Sequence, residues 1–333
     1  MKAMQCTGPQ PVENNPLQAT EMAIHQPVDK EILLQVHACG ICHTDLHIIE
    51  GELPLKKSPV IPGHQIVGVV KRIGKNVTGY KYGDRVGVPW LYWTCGECEF
   101  CKRGDENLCE SAKFTGYDVD GGFAEQVIAH SDFVYPIPYR FSDEEAAPLL
   151  CAGIIGFRAL RLSNIKPSER LGLYGFGASA HIAIQVAHHW KCEVYVFSRR
   201  EQHRKFAEDL GATWTGTADE KPPKFLDSAI SFAPAGELVP KALGTLRKGG
   251  TLALAGIYMS PIPSFDYSLL YHERTIRSVA NSTRQDANDF LKLAEQIPVR
   301  THVELFALQD ANRAMQLLKK GEIHGAGVLK VGA

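Results

Sequence analysis

The sequence predicts an α/β chain of two domains, an irregular β-rich unit and a doubly wound parallel sheet. Three observations carry that reading. At 333 residues the chain is too long for one ordinary core. Up to about residue 152 it reads as short runs rich in branched residues, broken by glycine and proline. From about residue 153 strands and helices alternate, the rhythm of a parallel sheet covered on both faces.

In the first part, Glu31 to His37 and Ile66 to Val70 are the clearest strand-like runs, punctuated by Gly63, Gly74, Gly79, Gly83, Gly87 and Pro89. In the second part, Leu171 to Tyr174 reads as a short apolar strand. A glycine turn follows, then a helix from about Ala178 to Trp190 and a strand from Glu193 to Phe197. A helix from Glu201 to Leu210 is stopped by Gly211. Ala229 to Phe232 and Thr251 to Ala255 are later strands, with a helix near Glu237 to Leu246 between them. The tail holds a helix around Asp286 to Gln296 and ends on a strand-like run from Gly327 to Val331. There is no internal repeat and no low-complexity segment.

Apolar residues make up 44% of the chain, and its 22% of charged residues nearly cancel to −1. Neither nucleic acid nor an anionic membrane is therefore expected as a partner. The start, Met1 to Pro9, lacks the apolar run of a signal peptide. No stretch approaches the roughly 20 apolar residues of a membrane span. A cytoplasmic protein is expected. In that reducing setting the nine cysteines read as metal ligands or reactive groups rather than disulfides.

Cys95, Cys98, Cys101 and Cys109 form C-x2-C-x2-C-x7-C. Four thiolates so close suit a closed tetrahedral zinc site that staples a loop and does no chemistry. An iron–sulfur cluster also uses four thiolates, but a single metal fits the tight loop better. Cys39, His64 and Cys151 are scattered potential ligands, and spacing alone cannot join them. Cys6, Cys42 and Cys192 are left to buried packing.

Gly175, Phe176, Gly177, Ala178, Ser179 and Ala180 spell G-x-G-x-x-A between a strand and a helix. Gly175 allows the tight turn, Gly177 lets backbone approach a pyrophosphate, and the small Ala180 lets helix and strand pack. The helix N-terminus then faces phosphate, as in a Rossmann NAD(P)-binding domain. At the end of the second strand, where a carboxylate would bind a ribose 2′-hydroxyl, stand Ser198, Arg199 and Arg200. This favours the 2′-phosphate of NADP(H), with NAD(H) as the other reading.

Gly40-Ile41-Cys42-His43-Thr44-Asp45-Leu46-His47 resembles the zinc-dependent medium-chain alcohol dehydrogenases. So do Pro62-Gly63-His64, Gly83-Asp84-Arg85-Val86-Gly87-Val88, the four-cysteine lobe and Ala146-Ala147-Pro148-Leu149-Leu150-Cys151-Ala152-Gly153. The likeness spans essentially the whole chain in the family's order. It implies a GroES-like catalytic domain over residues 1–152, completed by 291–333, and a Rossmann domain over 153–290, with the cofactor in the cleft between them. It implies a catalytic zinc on Cys39, His64 and Cys151, a structural zinc on the four-cysteine lobe, and reversible hydride transfer to or from a primary alcohol or aldehyde. By the same resemblance Thr44 and His47 relay the proton, Asp45 orients the zinc-bound histidine, His43 contacts the pyrophosphate, and Trp90 walls the substrate pocket. A homodimer or homotetramer is implied. Gln65 departs from the family, which has glutamate after the ligand histidine, and raises the site's net charge by about one unit relative to that pattern. Two other readings stand beside this one: a zinc-independent quinone or enone reductase of the same superfamily, and a cofactor-binding protein without turnover.

Overall fold

The structure, a computed structural model, describes residues 1–332. It divides into two compact units. The first comprises Met1–Cys151, Asn281–Gln296 and Arg300–Ala333, and the second Ala152–Ala280 and Ile297–Val299. The chain thus returns to the first unit at Asn281, earlier than the 291 expected. The helix Arg284–Gln296 explains the difference. Its first residue is tied to that unit, where Glu106 Oε1 accepts both the backbone N–H (2.9 Å) and the Nε–H (3.2 Å) of Arg284.

The first unit is built on a seven-stranded sheet. Its long strand Glu31–Gly40 pairs antiparallel with Gln65–Ile73, Gln126–His130 and the tail strand Ala326–Lys330. Seven of the ten residues of Glu31–Gly40 are buried, and Ile32, Leu34, Val36 and Cys39 join Ile66, Val70 and Phe123 in one apolar core. The chain's last segment completes the unit because Leu329 pairs beside Cys39 and is fully buried there.

The second unit is a six-stranded, wholly parallel sheet. In spatial order its strands are Trp214–Gly216, Glu193–Phe197, Arg170–Tyr174, Leu226–Ser231, Leu246–Leu254 and Thr275–Ser278. Numbered along the chain, that order is 3-2-1-4-5-6, the doubly wound arrangement whose ligands bind where the order reverses. Arg170–Tyr174 starts the fold and carries the glycine turn at its C-terminal end. Tyr174 stacks on Phe197 with ring centroids 4.2 Å apart, which fixes the first two strands against one core.

The short strands Trp214–Gly216 and Thr275–Ser278 and the helices His43–Glu50, Ala152–Leu162 and Ala311–Lys320 go beyond the sequence reading. Among the described residues no helix is long and apolar enough to cross a membrane.

Candidate active site and metal centres

Three chain segments converge on one cluster of ligand atoms. After Gly40 the chain leaves its strand, and Cys42 becomes the N-cap of the helix His43–Glu50. Gly63, at φ 97°, turns the chain just before His64. A Cβ on Gly63 would fall 2.4 Å from the Phe123 ring and 2.8 Å from Cys39 Sγ, so glycine alone fits there. Cys151 ends the short helical turn Ala147–Leu150, whose four residues are buried. Cys42 Sγ, His64 Nε2 and Cys151 Sγ meet at this point: the three ligand atoms lie within 4.8 Å of one another, and Cys42 Sγ is 3.2 Å from His64 Nε2.

Cys39, expected as a ligand, does not join this cluster. It lies inside the strand, paired with Ile66 and Leu329, and its side chain is part of the apolar core. Its thiol donates to the Gly40 carbonyl at 3.6 Å, and burial pushes its pKa well up, as for an inert core cysteine. Cys42, left to packing by the sequence reading, takes the place expected of Cys39. Both precede the same helix, and the strand's end decides which of them faces His64.

Asp45 holds the cluster together. It is fully buried. Its Oδ2 accepts the Cys42 N–H at 2.9 Å and its Oδ1 accepts the Gly63 N–H at 3.1 Å, so one carboxylate pins both ligand-bearing turns. Oδ1 also lies 3.1 Å from His64 Nδ1, close but off the line of a well-formed hydrogen bond. Burial disfavours charge on His64, but Asp45 and Cys42 more than offset it and raise its pKa to about 10. Two sulfurs, an imidazole and a buried carboxylate make a cation-seeking site. Ideal tetrahedral zinc places sulfur and nitrogen ligands about 3.6 Å apart, so the donor set and spacing both fit that ion.

The remaining candidates surround this cluster. Thr44 and His47 lie three residues apart on the helix His43–Glu50 and so share a face. His43 starts the same helix and is exposed. Trp90 is buried, and its ring meets His64 edge-on, centroids 4.6 Å apart, while stacking on Phe114 and Tyr117. Gln65 is also buried, its side chain lying over Gly40. The sequence reading missed Glu52, whose carboxylate is bonded to His47 Nδ1. A carboxylate just past a helix-ending glycine was the available signal.

The four-cysteine lobe forms a second cluster. Cys95 Sγ lies 3.9 Å from Cys101 Sγ and 3.6 Å from Cys109 Sγ. The edge of a zinc–thiolate tetrahedron is about 3.8 Å. The N–H groups of Glu97 and Cys98 donate to Cys95 Sγ at 3.5 and 3.3 Å, and the Cys101 N–H to Cys98 Sγ at 3.5 Å. Those donors to Cys95 bring its thiol down to about 6. The loop is arranged to hold anionic sulfur.

In the second unit the glycine turn follows Arg170–Tyr174 as read. Gly175 has φ 87°, and Gly177 is the N-cap of the helix Ala178–His189. Phe176 and Ala180 are buried. A Cβ built on Gly177 would meet open space, so the helix N-terminus is open to a phosphate. Ser198 follows the strand Glu193–Phe197 and is buried, while Arg199 and Arg200 are exposed. Arg204, absent from the sequence reading, braces this corner by donating to the carbonyls of Ser198 (2.8 Å) and Arg199 (3.2 Å).

Known proteins share the sequence pattern and the fold. Residues 28–139 match the alcohol dehydrogenase GroES-like domain, and residues 180–296 the zinc-binding dehydrogenase domain. A probable alcohol dehydrogenase, AdhA, of Mycobacterium tuberculosis is 45% identical over 99% of this chain and 97% of its own length. An alcohol dehydrogenase of Geobacillus stearothermophilus is 39% identical over 90% of this chain and 91% of its own. Among solved structures, a cinnamyl alcohol dehydrogenase of Sorghum bicolor superposes with a TM-score of 0.91 at 27% identity, covering 99% of this chain and 97% of that one. On these grounds the chain belongs to the zinc-binding, medium-chain alcohol dehydrogenase family, and it is an NAD(P)-dependent alcohol dehydrogenase or aldehyde reductase.

Proposed function

We propose that this dehydrogenase carries two zinc ions per chain, prefers NADP(H), and interconverts primary alcohols and aldehydes. The observation that carries the proposal is the meeting of Cys42, His64 and Cys151 within 4.8 Å. Cys42, His64 and Cys151 would hold the catalytic ion, and Cys95, Cys98, Cys101 and Cys109 the structural one. When bound, zinc supplies a Lewis acid for the substrate oxygen and the nicotinamide supplies the hydride carrier.

The protein's own residues do the rest. Asp45 orients His64 and keeps the two ligand-bearing turns in register. Thr44 Oγ1 both accepts and donates, so it can pass on the substrate's proton. His47, on the same helix face, can take up that proton at a ring nitrogen and hand it toward solvent. Trp90, set against His64, gives the substrate a flat apolar wall that favours unhindered primary alcohols and planar aldehydes. Gln65 leaves the site one negative charge short of the family pattern.

For the cofactor, the turn Gly175 to Ala180 receives the pyrophosphate. Ser198, Arg199 and Arg200 receive the 2′-phosphate, for which guanidinium groups offer paired donors. A solved structure of CAD from Helicobacter pylori, 25% identical to this chain with a TM-score of 0.88, is described as complexed with NADP(H). The nine free cysteines suit a reducing, cytoplasmic setting. A homodimer or homotetramer is the proposed assembly.

The test is metal analysis combined with benzaldehyde reduction by NADPH and by NADH under identical conditions. Two zinc ions per chain and a kcat/KM at least about tenfold higher with NADPH are expected. One zinc per chain removes one of the two sites. A higher kcat/KM with NADH makes Arg199 and Arg200 surface charge.

A further inference from the structure

We propose that Glu52 is a positioning residue of the active site: it fixes the tautomer of His47 and carries the proton from that buried imidazole to water. The proposal rests on the reading of His47 as the relay's imidazole and adds the step after it.

The geometry is specific. His47 Nδ1 is bonded to Glu52 Oε2. The His47 side chain is 8% exposed and that of Glu52 is 40% exposed, so the pair runs from the interior to the surface. The chain is bent to make this contact. The helix ends at Glu50, and Gly51 takes φ 82° as its left-handed C-cap. The Leu53 N–H then returns to the His47 carbonyl at 3.0 Å. A Cβ on Gly51 would lie 2.7 Å from Pro9 Cβ, so the turn has little freedom to be rebuilt.

The two carboxylates flanking Gly51 have separate partners. Glu50 accepts the Val12 N–H at 2.9 Å and the Lys319 ammonium at 2.8 Å, which tie the helix end to the rest of the unit. Glu52 turns back onto the helix. His43 also lies near His47, with ring centroids 6.3 Å apart.

A histidine that donates from Nδ1 to a carboxylate keeps its Nε2 lone pair for an incoming proton. As the N–H bond forms at Nε2, the Nδ1 proton passes to Glu52 Oε2, which yields it to water. One proton enters the pair and one leaves, and no electron moves; between turnovers the ring trades its Nε2 proton with water for one at Nδ1, the form that the Glu52 carboxylate favours. Aldehyde reduction runs the same exchange in reverse.

The test is stopped-flow proton release during benzyl alcohol oxidation by the zinc-loaded enzyme, read by a pH indicator in weak buffer. Glu52→Ala is expected to slow release about tenfold while leaving KM for the alcohol within about twofold of the parent. Added imidazole should restore the rate, and Glu52→Asp should keep most of it. Parent-like release from Glu52→Ala in weak buffer overturns the proposal. His47→Gln separates the two levels. If it slows release and Glu52→Ala does not, the relay stands and Glu52 has no part in it. If neither slows release, the relay reading fails and this proposal with it. A readout free of turnover is the long-range proton–nitrogen NMR spectrum of the His47 ring. The proton should sit on Nδ1 in the parent and lose that preference in Glu52→Ala. An unchanged tautomer overturns the proposal.

Discussion

Cys42 Sγ lies 3.2 Å from His64 Nε2, whereas Cys39 Sγ lies in the apolar core with the Gly40 carbonyl as its partner. This difference separates two cysteines that flank the same bend. Cys42→Ser should remove one zinc per chain and lower kcat/KM about 1,000-fold, since a Lewis acid contributes several kcal/mol at roughly 1.4 kcal/mol per factor of ten. Cys39→Ser should keep both ions and most of the rate. It should cost about 1–3 kcal/mol of stability, because a hydroxyl replaces a thiol in an apolar site. Metal analysis and denaturant melts of the two variants check this, and loss of the same zinc from Cys39→Ser would sink the assignment.

Asp45→Asn should weaken the catalytic metal without unfolding the unit. The carboxylate accepts from Cys42 and Gly63 and lies beside His64 Nδ1, so an amide there turns one acceptor into a donor facing an N–H. Outer partners of this kind are worth about 10–100-fold in metal affinity or activity. Competition with a chelator should strip the catalytic zinc from Asp45→Asn first and leave the four-cysteine ion in place. Equal retention in variant and parent would show that Asp45 is only a helix cap.

The fold was legible wherever a local rule sufficed. The strand Glu193–Phe197 was read to the residue, and the helix stopped by Gly211, at φ 90°, ends at Asp209, one residue short of the reading. What escaped depended on partners distant in sequence. Trp214–Gly216 and Thr275–Ser278 are only three and four residues long and exist as strands through their neighbours. The choice of Cys39 over Cys42 failed for a related reason. Cys39 stands just ahead of the Gly40–His47 motif and Cys42 inside it, both near Gly40, and the pairing of Cys39 with Ile66 and Leu329 commits it to the core. Glu52 was missed although close in sequence, because its bond to His47 depends on the turn at Gly51, whereas the four-cysteine lobe needed nothing beyond its spacing.

Acid should loosen the second unit through Asp227. Burial alone would raise this carboxyl, but its bonds to the Arg170 side chain and N–H, with Arg247 nearby, hold it below the usual range. A depressed carboxylate pKa adds stability at pH values above the unfolded-state value, and that stability is lost as pH falls through the folded one. Asp227→Asn should therefore lower stability at neutral pH by about 2 kcal/mol, the scale of a hydrogen bond to a charged group. The gap to the parent should close as the pH falls below the ordinary aspartate range. Urea melts at neutral and acidic pH measure both, and a constant gap would mean that Asp227 contributes by packing alone.

The cofactor corner offers the sharpest change of specificity. Ser198 follows its strand with its N–H on the Gly216 carbonyl at 2.9 Å, and Arg204 grips the carbonyls of Ser198 and Arg199. The backbone is thus held independently of the side chains at 198 and 199. A substitution there should change charge and leave the corner's shape intact. Ser198→Asp with Arg199→Ala places a carboxylate where a 2′-phosphate would sit and removes one guanidinium. A charge-assisted hydrogen bond is worth about 1.5–3 kcal/mol, so the kcat/KM ratio of NADPH to NADH should fall at least about tenfold. The carboxylate should also gain the ribose 2′-hydroxyl as a partner, so part of the change should appear as a lower KM for NADH. If KM for NADPH rises and KM for NADH stays put, the arginines select the phosphate but position 198 does not reach the ribose. If neither moves, the selector lies elsewhere on the second unit.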